Sequence, residues 1–400
     1  MEPIWVVTLA AGALLMRLGQ ALYQAGLVRS KNASSAVMRN IVDFAVVTIA
    51  FWLVGAAILQ QSANGFFGFE VSSIAARSDA YGVGFGLLAL VLAVTGVVNG
   101  AIAERSRFRV GVLSSLMLSA LIIPTIGRWV WGGWLGTRGY VDQAGSSVLH
   151  IPAGTVALVA ALLVGPRTGK YNRDGSSNFI PGHSLVLNQI GVLVMMIAFV
   201  PYVLAAVAIH KTNLWVAAMD IMLAGSAGAL VSLFIARLRY GKVDVLVMCS
   251  GLLGGAVAST GGPGVSPIAA VVIGIVAGII VPIATVMIDV RFRIDDPGNV
   301  IGIHLVGGIW GTLAAALLKP HGVPMGERLH DLGIQALGAV SAIALALVVA
   351  LIVFTIARVF GPLRVSEADE FDGCDLAEHD VNAYPDFQQT TIKSYHLREV

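Results

Sequence analysis

Long apolar runs, which recur from residue 4 to about residue 360, limit what this 400-residue chain can fold into. Each run is long enough to cross the hydrocarbon core of a bilayer, which is about 30 Å thick. Because 57% of the residues are hydrophobic and 12% are charged, the chain is too apolar for a soluble domain of this length. The runs predict an all-α polytopic membrane protein with eleven transmembrane helices in a lipid bilayer. The predicted spans, numbered one to eleven, are 4–28, 36–60, 81–103, 110–134, 146–165, 184–208, 213–236, 244–262, 267–289, 299–318 and 334–358.

Basic residues are concentrated in alternate loops between these spans, which predicts the orientation of the chain. One set of loops contains Arg29, Lys31, Arg105, Arg107, Arg109, Arg167, Lys170, Arg173, Arg237, Arg239, Lys242, Arg291 and Arg293. The other set contains only Arg77, Arg138, Lys211, Lys319 and Arg328. Since positively charged loops remain in the cytoplasm, the N-terminus is predicted to lie outside and the C-terminus inside a cell (inner) membrane. This orientation requires an odd number of spans, in agreement with the predicted eleven.

An internal repeat relates the two halves of the chain. The stretch DQAGSSVLHIPAGTVALVAALLVG at 142–165 has a counterpart in DPGNVIGIHLVGGIWGTLAAALL at 296–318. In each copy a histidine, His150 or His304, follows an aspartate by eight residues. The stretches belong to spans five and ten, so each half contributes five spans and the second half enters the membrane upside down. The sequence therefore predicts an inverted five-helix repeat, an architecture whose binding sites lie near the bilayer midplane between the repeats.

The two aspartates of the repeat, Asp142 and Asp296, are predicted to lie at the starts of spans five and ten. An acidic side chain suits this position because it accepts hydrogen bonds from free amides and faces the positive end of the helix dipole. Pro297 follows Asp296 directly and is expected at the first helical position. Asp142 also adds negative potential at the outer end of span five, but capping is its expected direct role.

The two histidines are the strongest candidates for a functional site. A buried imidazole in an apolar helix is costly unless a polar group meets it, so two equivalent imidazoles are expected to meet each other. We predict that the ring nitrogens of His150 and His304 lie within hydrogen-bonding distance at mid-membrane. A neutral imidazole donates through one nitrogen and accepts through the other, which suits the relay of a proton. A structural polar pair between helices is the alternative, and two histidines without a third ligand make a poor zinc site.

Several motifs resemble those of the ammonium transporter (Amt/Mep/Rh) family, over nearly the whole chain to about residue 384. They are GLVRSKN (26–32), AERSRF (103–108), VWGG (130–133), DQAGSSVLHIPAG (142–154), GPRTGKY (165–171), IDDPGNVIGIHLVGGIWGT (294–312) and LRVSEADEFDGCDLAEHD (363–380). Each motif is weak alone, but their order and spacing make the resemblance specific. It implies a homotrimer with one pore through each monomer and ammonium or ammonia as the ligand. It also implies that His150 and His304 are the twin histidines inside the pore, Asp142 its structural acid and Trp131 its external cation–π residue.

The sequence departs from this family at the outer mouth of the implied pore. Where the family has a run resembling GWFGFNAGS in span six, this chain has AFVPYVLAA at 198–206. Phe199 replaces the tryptophan, Tyr202 a gating phenylalanine, and Ala206 the serine of the external ammonium site. In span three, Leu90 replaces the other gating phenylalanine. Loss of the hydroxyl group at Ala206 removes an oxygen ligand worth about 1–3 kcal/mol if the ion is desolvated, so the outer site is predicted to be weakened.

Three ionisable residues lie inside predicted spans: Arg17 in span one, Asp43 in span two and Asp220 in span seven. Charged residues within a membrane usually have a partner and are candidates for function. Arg17 is expected to pair with one of the two aspartates, either for function or as a static lock between helices. If Arg17 lines the pore, its positive charge opposes the passage of ammonium.

The chain is predicted to divide into a transmembrane domain at 1–360 and a cytoplasmic tail at 361–400. The tail is acidic from Glu367 to Asp380. Its last residues, DFQQTTIKSYHLREV at 386–400, depart from the family and resemble the start of a helix that leads to a signalling module. A frayed natural terminus is the alternative.

Coupling between the implied pore and the tail is expected at the inner ends of spans nine to eleven. Occupancy near His304 is predicted to shift span ten and the cap formed by Asp296, next to Asp295. The acidic tail would then dock on, or leave, basic inner loops that include Arg105 and Arg167. A tail that only holds a trimer together is the alternative.

Two functions are consistent with these features. The first is an ammonium sensor or transducer that conducts poorly and reports occupancy through its tail, with an effector such as a histidine kinase beyond residue 400. The second is a working ammonium channel or transporter that is regulated at its cytoplasmic face, for example by a PII-type protein. The altered mouth, Arg17 and the tail favour the sensor. We expect neither an enzyme nor a nucleic-acid partner, because no catalytic nucleophile, metal cluster or cofactor fingerprint is apparent.

Overall fold

The computed structural model describes residues 3–59, 68, 78–208, 212–319 and 323–385. The predicted all-helical architecture is confirmed: across these ranges the chain forms helices, with two isolated bridges and no β-strand. Arg77, Lys211 and the predicted helix start at 386–400 lie outside the described residues. Eight helical segments are long and apolar enough to cross a membrane: Ser30–Leu59, Gly84–Ala101, Phe108–Arg138, Ser146–Val164, Leu185–Val207, Leu214–Tyr240, Pro267–Arg291 and Met325–Val359. The shorter apolar helices are Pro3–Ala13, Leu15–Leu27, Val245–Ser259 and Ile301–Leu317.

Several helices contain a π-helical turn, which inserts one residue into the α-helical register. These turns are Phe51–Gly55, Leu118–Ile122, Ser146–His150, Met287–Arg291 and Ile301–Val306. Those at Ser146–His150 and Ile301–Val306 occupy the same place in each copy of the repeat, directly before helices Ile151–Val164 and Gly307–Leu317. The two copies therefore share a local structure as well as a sequence pattern.

Some predicted spans differ from the observed helices, most clearly the last span and the first. The last helix is Met325–Val359 rather than 334–358, because its first turns carry polar residues such as Glu327 and Asp331 that a hydropathy pattern excludes. Asp331 pairs there with Lys319, which precedes the helix. Span one is interrupted at Leu14, between Pro3–Ala13 and Leu15–Leu27.

The start of span ten also differs from the prediction. Pro297 is not at a first helical position, since the helical residues begin after Asn299 with the π-turn at Ile301. Asp296 accepts a hydrogen bond from the Ile301 amide across the intervening turn, at 2.7 Å. Asp296 therefore caps the helix from the preceding turn. Pro297 lies in that turn and is not the first helical residue.

The two helices of the repeat cross at glycines. A Cβ atom on Gly154 would overlap the backbone of Leu305, and one on Gly308 would lie 2.9 Å from the Ser146 carbonyl oxygen. Small residues permit this close approach. The Ser146 hydroxyl group donates to the Gly308 carbonyl oxygen at 2.9 Å across the crossing. This crossing sets the residues at the start of each helix against each other.

After Val359 the chain folds back on the body of the protein. The Val365 amide donates to the Arg105 carbonyl oxygen at 3.0 Å, and the Arg107 amide donates to the Leu363 carbonyl oxygen at 2.9 Å. Two short helices follow, Glu367–Asp372 and Cys374–His379. Ser366 and Asp369 begin the first of them with a reciprocal capping box. The segment 361–385 is therefore ordered against the body.

Candidate functional site

The side chains of His150 and His304 meet, as the sequence predicts. Their Nδ1 atoms are 2.9 Å apart and their ring centroids 5.1 Å apart, with the ring planes inclined by 26°. Because only one hydrogen fits between two Nδ1 atoms, one ring donates and the other accepts. The donating ring then has a bare Nε2, and the accepting ring carries its proton on Nε2. The pair is therefore directional, and passage of a proton through it exchanges the two roles.

A cavity of about 20 Å³ lies against the histidine pair, and we call it the histidine cavity. This volume is roughly that of one water-sized molecule. Apart from the histidines, its polar lining residues are Gln20 and Tyr202. The apolar lining residues are Met16, Ala93, Val94, Val97, Met195, Phe199, Leu253, Val257 and Ile303. The Nε2 atom of His150 is buried without a hydrogen bond to the described protein atoms, so it can meet a small polar guest.

Phe199 and Tyr202 pack on His150 and form one wall of the histidine cavity. Their ring centroids lie 6.5 and 6.3 Å from that of His150. The two rings meet edge to face at 5.8 Å. Tyr202 is fully buried, and its hydroxyl group donates to the Ala144 carbonyl oxygen at 2.7 Å. Because this bond ties the ring to the segment before span five, Tyr202 is fixed in the wall.

Leu90 and Ala206, the other residues predicted at the mouth, do not line the histidine cavity. Both are buried. Leu90 lies on helix Ser78–Thr95 about one turn before the lining residue Val94, and Ala206 lies one turn after Tyr202. The structure thus brings together only part of the predicted set.

Trp131 and Asp142 lie together on the Ala144 side of Tyr202. The Trp131 indole N–H donates to the Asp142 carbonyl oxygen at 2.7 Å. Burial raises the pKa of the Asp142 carboxyl group, and its hydrogen bonds oppose this effect. The carboxylate accepts from the amides of Gly145, Ser146, Ser147 and Val148 at 2.7–3.0 Å and from the Ser147 hydroxyl group at 2.6 Å. As predicted, its direct contacts are those of a helix cap.

Asp296, the counterpart of Asp142, is less completely bonded. Its Oδ1 atom is buried without a hydrogen bond to the described protein atoms, and burial raises the pKa of the carboxyl group to about 6. Asp296 lines a cleft of about 260 Å³ together with Ser250 and Asn299. Helix Val245–Ser259 borders both spaces, since Ser250 lines this cleft and Leu253 lines the histidine cavity.

Asp295, Arg105 and Arg167 form a buried brace beside Asp296. Arg167 donates to the Asp295 carboxylate through its amide, Nε and Nη2 at 2.9–3.0 Å. Although burial opposes it, Arg105 and Arg167 hold the pKa of Asp295 at about 2. Burial lowers the pKa of Arg105 to about 10, and its guanidinium group donates to the carbonyl oxygens of Asp295 and Gly165 at 2.6 and 2.9 Å. The guanidinium groups of Arg105 and Arg167 are thus bonded inside the body. The acidic segment meets the loops that contain them through backbone donors, since Glu370 accepts from the Thr168 amide at 2.7 Å and Glu378 from the Phe108 amide at 2.8 Å. That this docking responds to occupancy stays a prediction.

Arg17 pairs with Asp43, one of the two aspartates that the sequence offered. The Thr95 hydroxyl group donates to Asp43 at 2.9 Å, and Ser115 donates to it as well. Asp220 instead accepts from the Gly264 amide at 2.8 Å. Arg17 is not a lining residue of the histidine cavity.

Sequence reasoning missed Gln20, which connects Arg17 to the histidine cavity. The Arg17 Nη1 donates to the Gln20 Oε1 at 3.1 Å. A signal for this residue was present: Gln20 is a polar residue three positions after Arg17, on the same face of an apolar span. In the described part of the chain, no group of three or more His, Cys, Asp or Glu side chains is arranged to hold a metal ion.

Comparisons with known proteins agree with the motifs. A family model described as Ammonium Transporter Family matches residues 4–384. Ammonium transporter Amt2 of Archaeoglobus fulgidus is 32% identical over 413 aligned positions, which cover 96% of this chain and 88% of that protein. A solved structure named Sensor Amt Protein matches with a TM-score of 0.89 at 31% identity, over 94% of this chain and 98% of that one. Mep2 of Saccharomyces cerevisiae matches with a TM-score of 0.76 at 25% identity, over 91% and 87% of the two chains.

Proposed function

Because this chain belongs to the ammonium transporter family, we propose that it is a membrane sensor that binds ammonium beside its paired histidines and reports occupancy through its C-terminal segment. The observation that carries the proposal is the histidine cavity of about 20 Å³, with Tyr202 bonded into its wall. A space for roughly one water-sized molecule suits the retention of a single small guest. The similarity to the protein named Sensor Amt Protein supports the same function.

The proposed binding chemistry follows from the histidine pair. Ammonium is strongly hydrated, so a bare ion is costly in an apolar cavity unless its charge is stabilised or its proton is removed. The indole of Trp131 would offer a cation–π face at the mouth, and Asp142 adds negative potential nearby. Beside His150 and His304, the guest would give a proton to a bare ring nitrogen and remain as ammonia. The directional pair is suited to hold or pass that proton.

We also propose the membrane arrangement that this function needs. The eight long helices, the two shorter ones and the interrupted first helix would form eleven spans in a cell (inner) membrane. The bias of basic residues supports an outer N-terminus and a cytoplasmic C-terminus. Residues 1–360 would form the transmembrane domain and 361–400 the cytoplasmic tail, within a homotrimer. A signalling module or a PII-type protein is the proposed cytoplasmic partner.

The proposal is tested by measuring conduction and tail response on the same protein in lipid vesicles. We expect little ammonium-dependent current, together with an ammonium-dependent change in hydrogen exchange at residues 365–385. His304→Ala removes one imidazole of the pair, so the tail response should disappear in this variant. His330→Ala is the matched control, because this histidine is exposed at the start of the last helix and should leave the response intact.

A working ammonium channel is the second candidate. Members of the family are channels rather than enzymes, and the contact between His150 and His304 is compatible with conduction as well as with binding. A large current with a tail that ignores ammonium would establish this candidate and refute the sensor. Regulation at the cytoplasmic face would then be the remaining role for the segment 361–385.

A further inference from the structure

Gln20 joins the wall of the histidine cavity to the buried ion pair behind it. Gln20 is a lining residue of the cavity, together with His150 and His304. Its Nε2 donates to the Ala93 carbonyl oxygen, and its Oε1 accepts from Arg17 at 3.1 Å. A guest that rearranges the hydrogen bonds of Gln20 therefore also acts on Arg17.

The Arg17–Asp43 pair passes this connection to helix Ala33–Ala50. Arg17 bonds that helix twice, through the Asp43 carboxylate and through the Asn40 carbonyl oxygen at 3.1 Å. Both charged side chains are buried, with 7% and 1% of their surfaces exposed. Since an unpaired charge is very costly at such a site, the pair moves as a unit or not at all. A displacement of Arg17 therefore displaces the helix.

The same helix carries Arg39, one turn before Asp43 and on the same face. The Arg39 Nη2 donates to the Glu378 carboxylate of the C-terminal segment at 2.7 Å. Glu378 also accepts from the Phe108 amide at 2.8 Å. Arg39 and Glu378 are 7% and 15% exposed, so this ion pair is also shielded from solvent.

The C-terminal segment holds the start of this helix as well. The Asp375 carboxylate accepts from the amides of Ser34 and Ser35 at 3.0 and 2.6 Å, so it caps the first turn. The Cys374 amide donates to the Asn32 side-chain oxygen at 2.8 Å. Any shift of helix Ala33–Ala50 along its axis therefore strains these contacts.

Several polar atoms around this helix have no partner in the present arrangement. The side-chain oxygens of Asn40 and Asn99 and the Nε of Arg17 are buried without a hydrogen bond to the described protein atoms. A shift of the helix would rearrange the hydrogen bonds around these atoms.

We propose that helix Ala33–Ala50 couples the histidine cavity to the C-terminal segment, with Gln20, Arg17 and Asp43 at one end and Arg39 and Glu378 at the other. The proposal rests on the proposed sensing function and names its route. It differs from the route through Asp296 that the sequence suggests, because it runs through helix Ala33–Ala50 and the pair of Arg39 and Glu378. The segment also meets the loop beside Asp295, where the Glu370 carboxylate accepts from the Thr168 amide at 2.7 Å. Coupling of this kind is reciprocal, so loosening the tail must change ammonium affinity by the factor by which ammonium loosens the tail.

Two variants, each with a matched control, test the route on the full chain in lipid nanodiscs. Gln20→Met keeps the size of the side chain but removes its bond to Arg17, and Leu18→Met, at an exposed position on the same helix, is the control. Glu378→Gln removes the charge that Arg39 meets, and Glu367→Gln removes an equal charge from an exposed position on the segment. Hydrogen exchange of residues 366–384 with and without ammonium, and calorimetric Kd values for ammonium, are the readouts.

We expect Glu378→Gln to change the Kd for ammonium by about fivefold or more, the lower end of typical coupling. Gln20→Met should abolish the ammonium response of the tail. Both controls should behave as wild type.

If the wild-type tail responds to ammonium and both test variants respond equally, the route is wrong while the sensing function stands. If the wild-type tail never responds, the sensing function itself is wrong. Arg17→Gln combined with Asp43→Asn removes both charges together and checks the route if Gln20→Met fails to fold.

Discussion

At the scale of single residues, the histidine cavity is defined by hydrogen bonds that the residue types alone do not specify. His150 and His304 share one hydrogen through their Nδ1 atoms. Tyr202, where the resemblance predicts a phenylalanine, uses its hydroxyl group to bond the Ala144 carbonyl oxygen. A phenylalanine ring can swing away without losing a bond, whereas this tyrosine loses one. The hydroxyl group of Tyr202 therefore fixes this ring in the wall.

Replacing Tyr202 with phenylalanine should loosen this wall. The lost hydrogen bond is worth about 0.5–1.5 kcal/mol, so displaced ring positions should become roughly 2- to 10-fold more populated. We expect ammonium-dependent current in vesicles to rise by a similar factor in Tyr202→Phe. Tyr240→Phe, at an exposed position, is the control and should conduct as wild type does. An unchanged current in Tyr202→Phe would show that this hydroxyl group does not limit passage.

Asp296 should make the stability of the protein depend on pH. Burial raises its pKa to about 6 from an ordinary value of 3.8, so the folded protein binds the proton more tightly than the unfolded chain. The stabilisation is fully present below pH 3.8 and is lost as the pH rises through about 6, with a total on the order of 3 kcal/mol. In detergent, Asp296→Asn should reduce the pH dependence of the thermal unfolding midpoint between pH 4 and 7. Asp380→Asn, at an exposed position, should retain the wild-type slope.

At the scale of elements, the two π-turns of the repeat set the orientation of its two histidines. Each histidine lies within a π-turn, at Ser146–His150 or Ile301–Val306, that precedes a regular helix. The inserted residue rotates the side chains before it relative to those after it. The small residues Gly154 and Gly308 let the helices cross closely while the histidines face each other. A uniform α-helix through each copy would place the imidazoles differently.

Among the helix caps of the described residues, the Asp142 cap should lose the most stability when it is substituted. Asp142→Asn replaces one carboxylate oxygen with an NH₂ group. Because both carboxylate oxygens accept from backbone amides, the NH₂ group faces backbone N–H donors in either orientation of the side chain. The expected loss of unfolding free energy is on the order of 3 kcal/mol, since bonds to a buried charge are involved. Asp244→Asn is the control: this exposed cap uses a single oxygen, at 2.9 and 3.1 Å, and asparagine caps equally well. Equal thermal unfolding of the two variants would contradict the cap.

At the scale of the whole molecule, buried charges join loops that are far apart in the sequence. The Glu104 carboxylate accepts from the amide and the Nε of Arg29 at 2.7 and 2.6 Å, and it lies 3.8 Å from Arg167. Arg167 in turn holds Asp295. The loops after spans one, three, five and nine are thus tied together on the side where the C-terminal segment docks. The C-terminal segment therefore packs on a surface that these buried ion pairs stabilise.

Glu104→Gln should weaken this brace. Removing the buried charge takes the ion-pair partner of Arg29 and leaves Arg167 with Asp295 alone, with an expected cost of roughly 3 kcal/mol. We expect a lower thermal unfolding midpoint in detergent and faster hydrogen exchange in the segment 361–385. Glu367→Gln loses the same charge at an exposed site and should change the midpoint little. A brace that contributes nothing would leave both variants alike.

The sequence by itself determined the class of fold, the family and the meeting of the two histidines. Apolar runs of this length lie in helices within a bilayer, and two equivalent polar side chains in such helices are expected to meet, so composition and repeat predict the fold class and the contact. The family followed instead from the resemblance of several motifs in order and spacing. The cap formed by Asp142 followed equally from its position before a helix. These features depend on local sequence or on a repeat that the sequence itself displays.

Tertiary structure alone decided which partner each buried charge takes and which residues line the cavity. Arg17 had two candidate aspartates, and only the packing of spans one and two selects Asp43. Leu90 and Ala206 are not lining residues of the histidine cavity, whereas Gln20, which the sequence did not single out, lines it. The docking of Glu378 on Arg39 joins residues 339 positions apart. Such choices depend on distances between helices, and a one-dimensional pattern fixes the face of a helix but not the neighbour that this face meets.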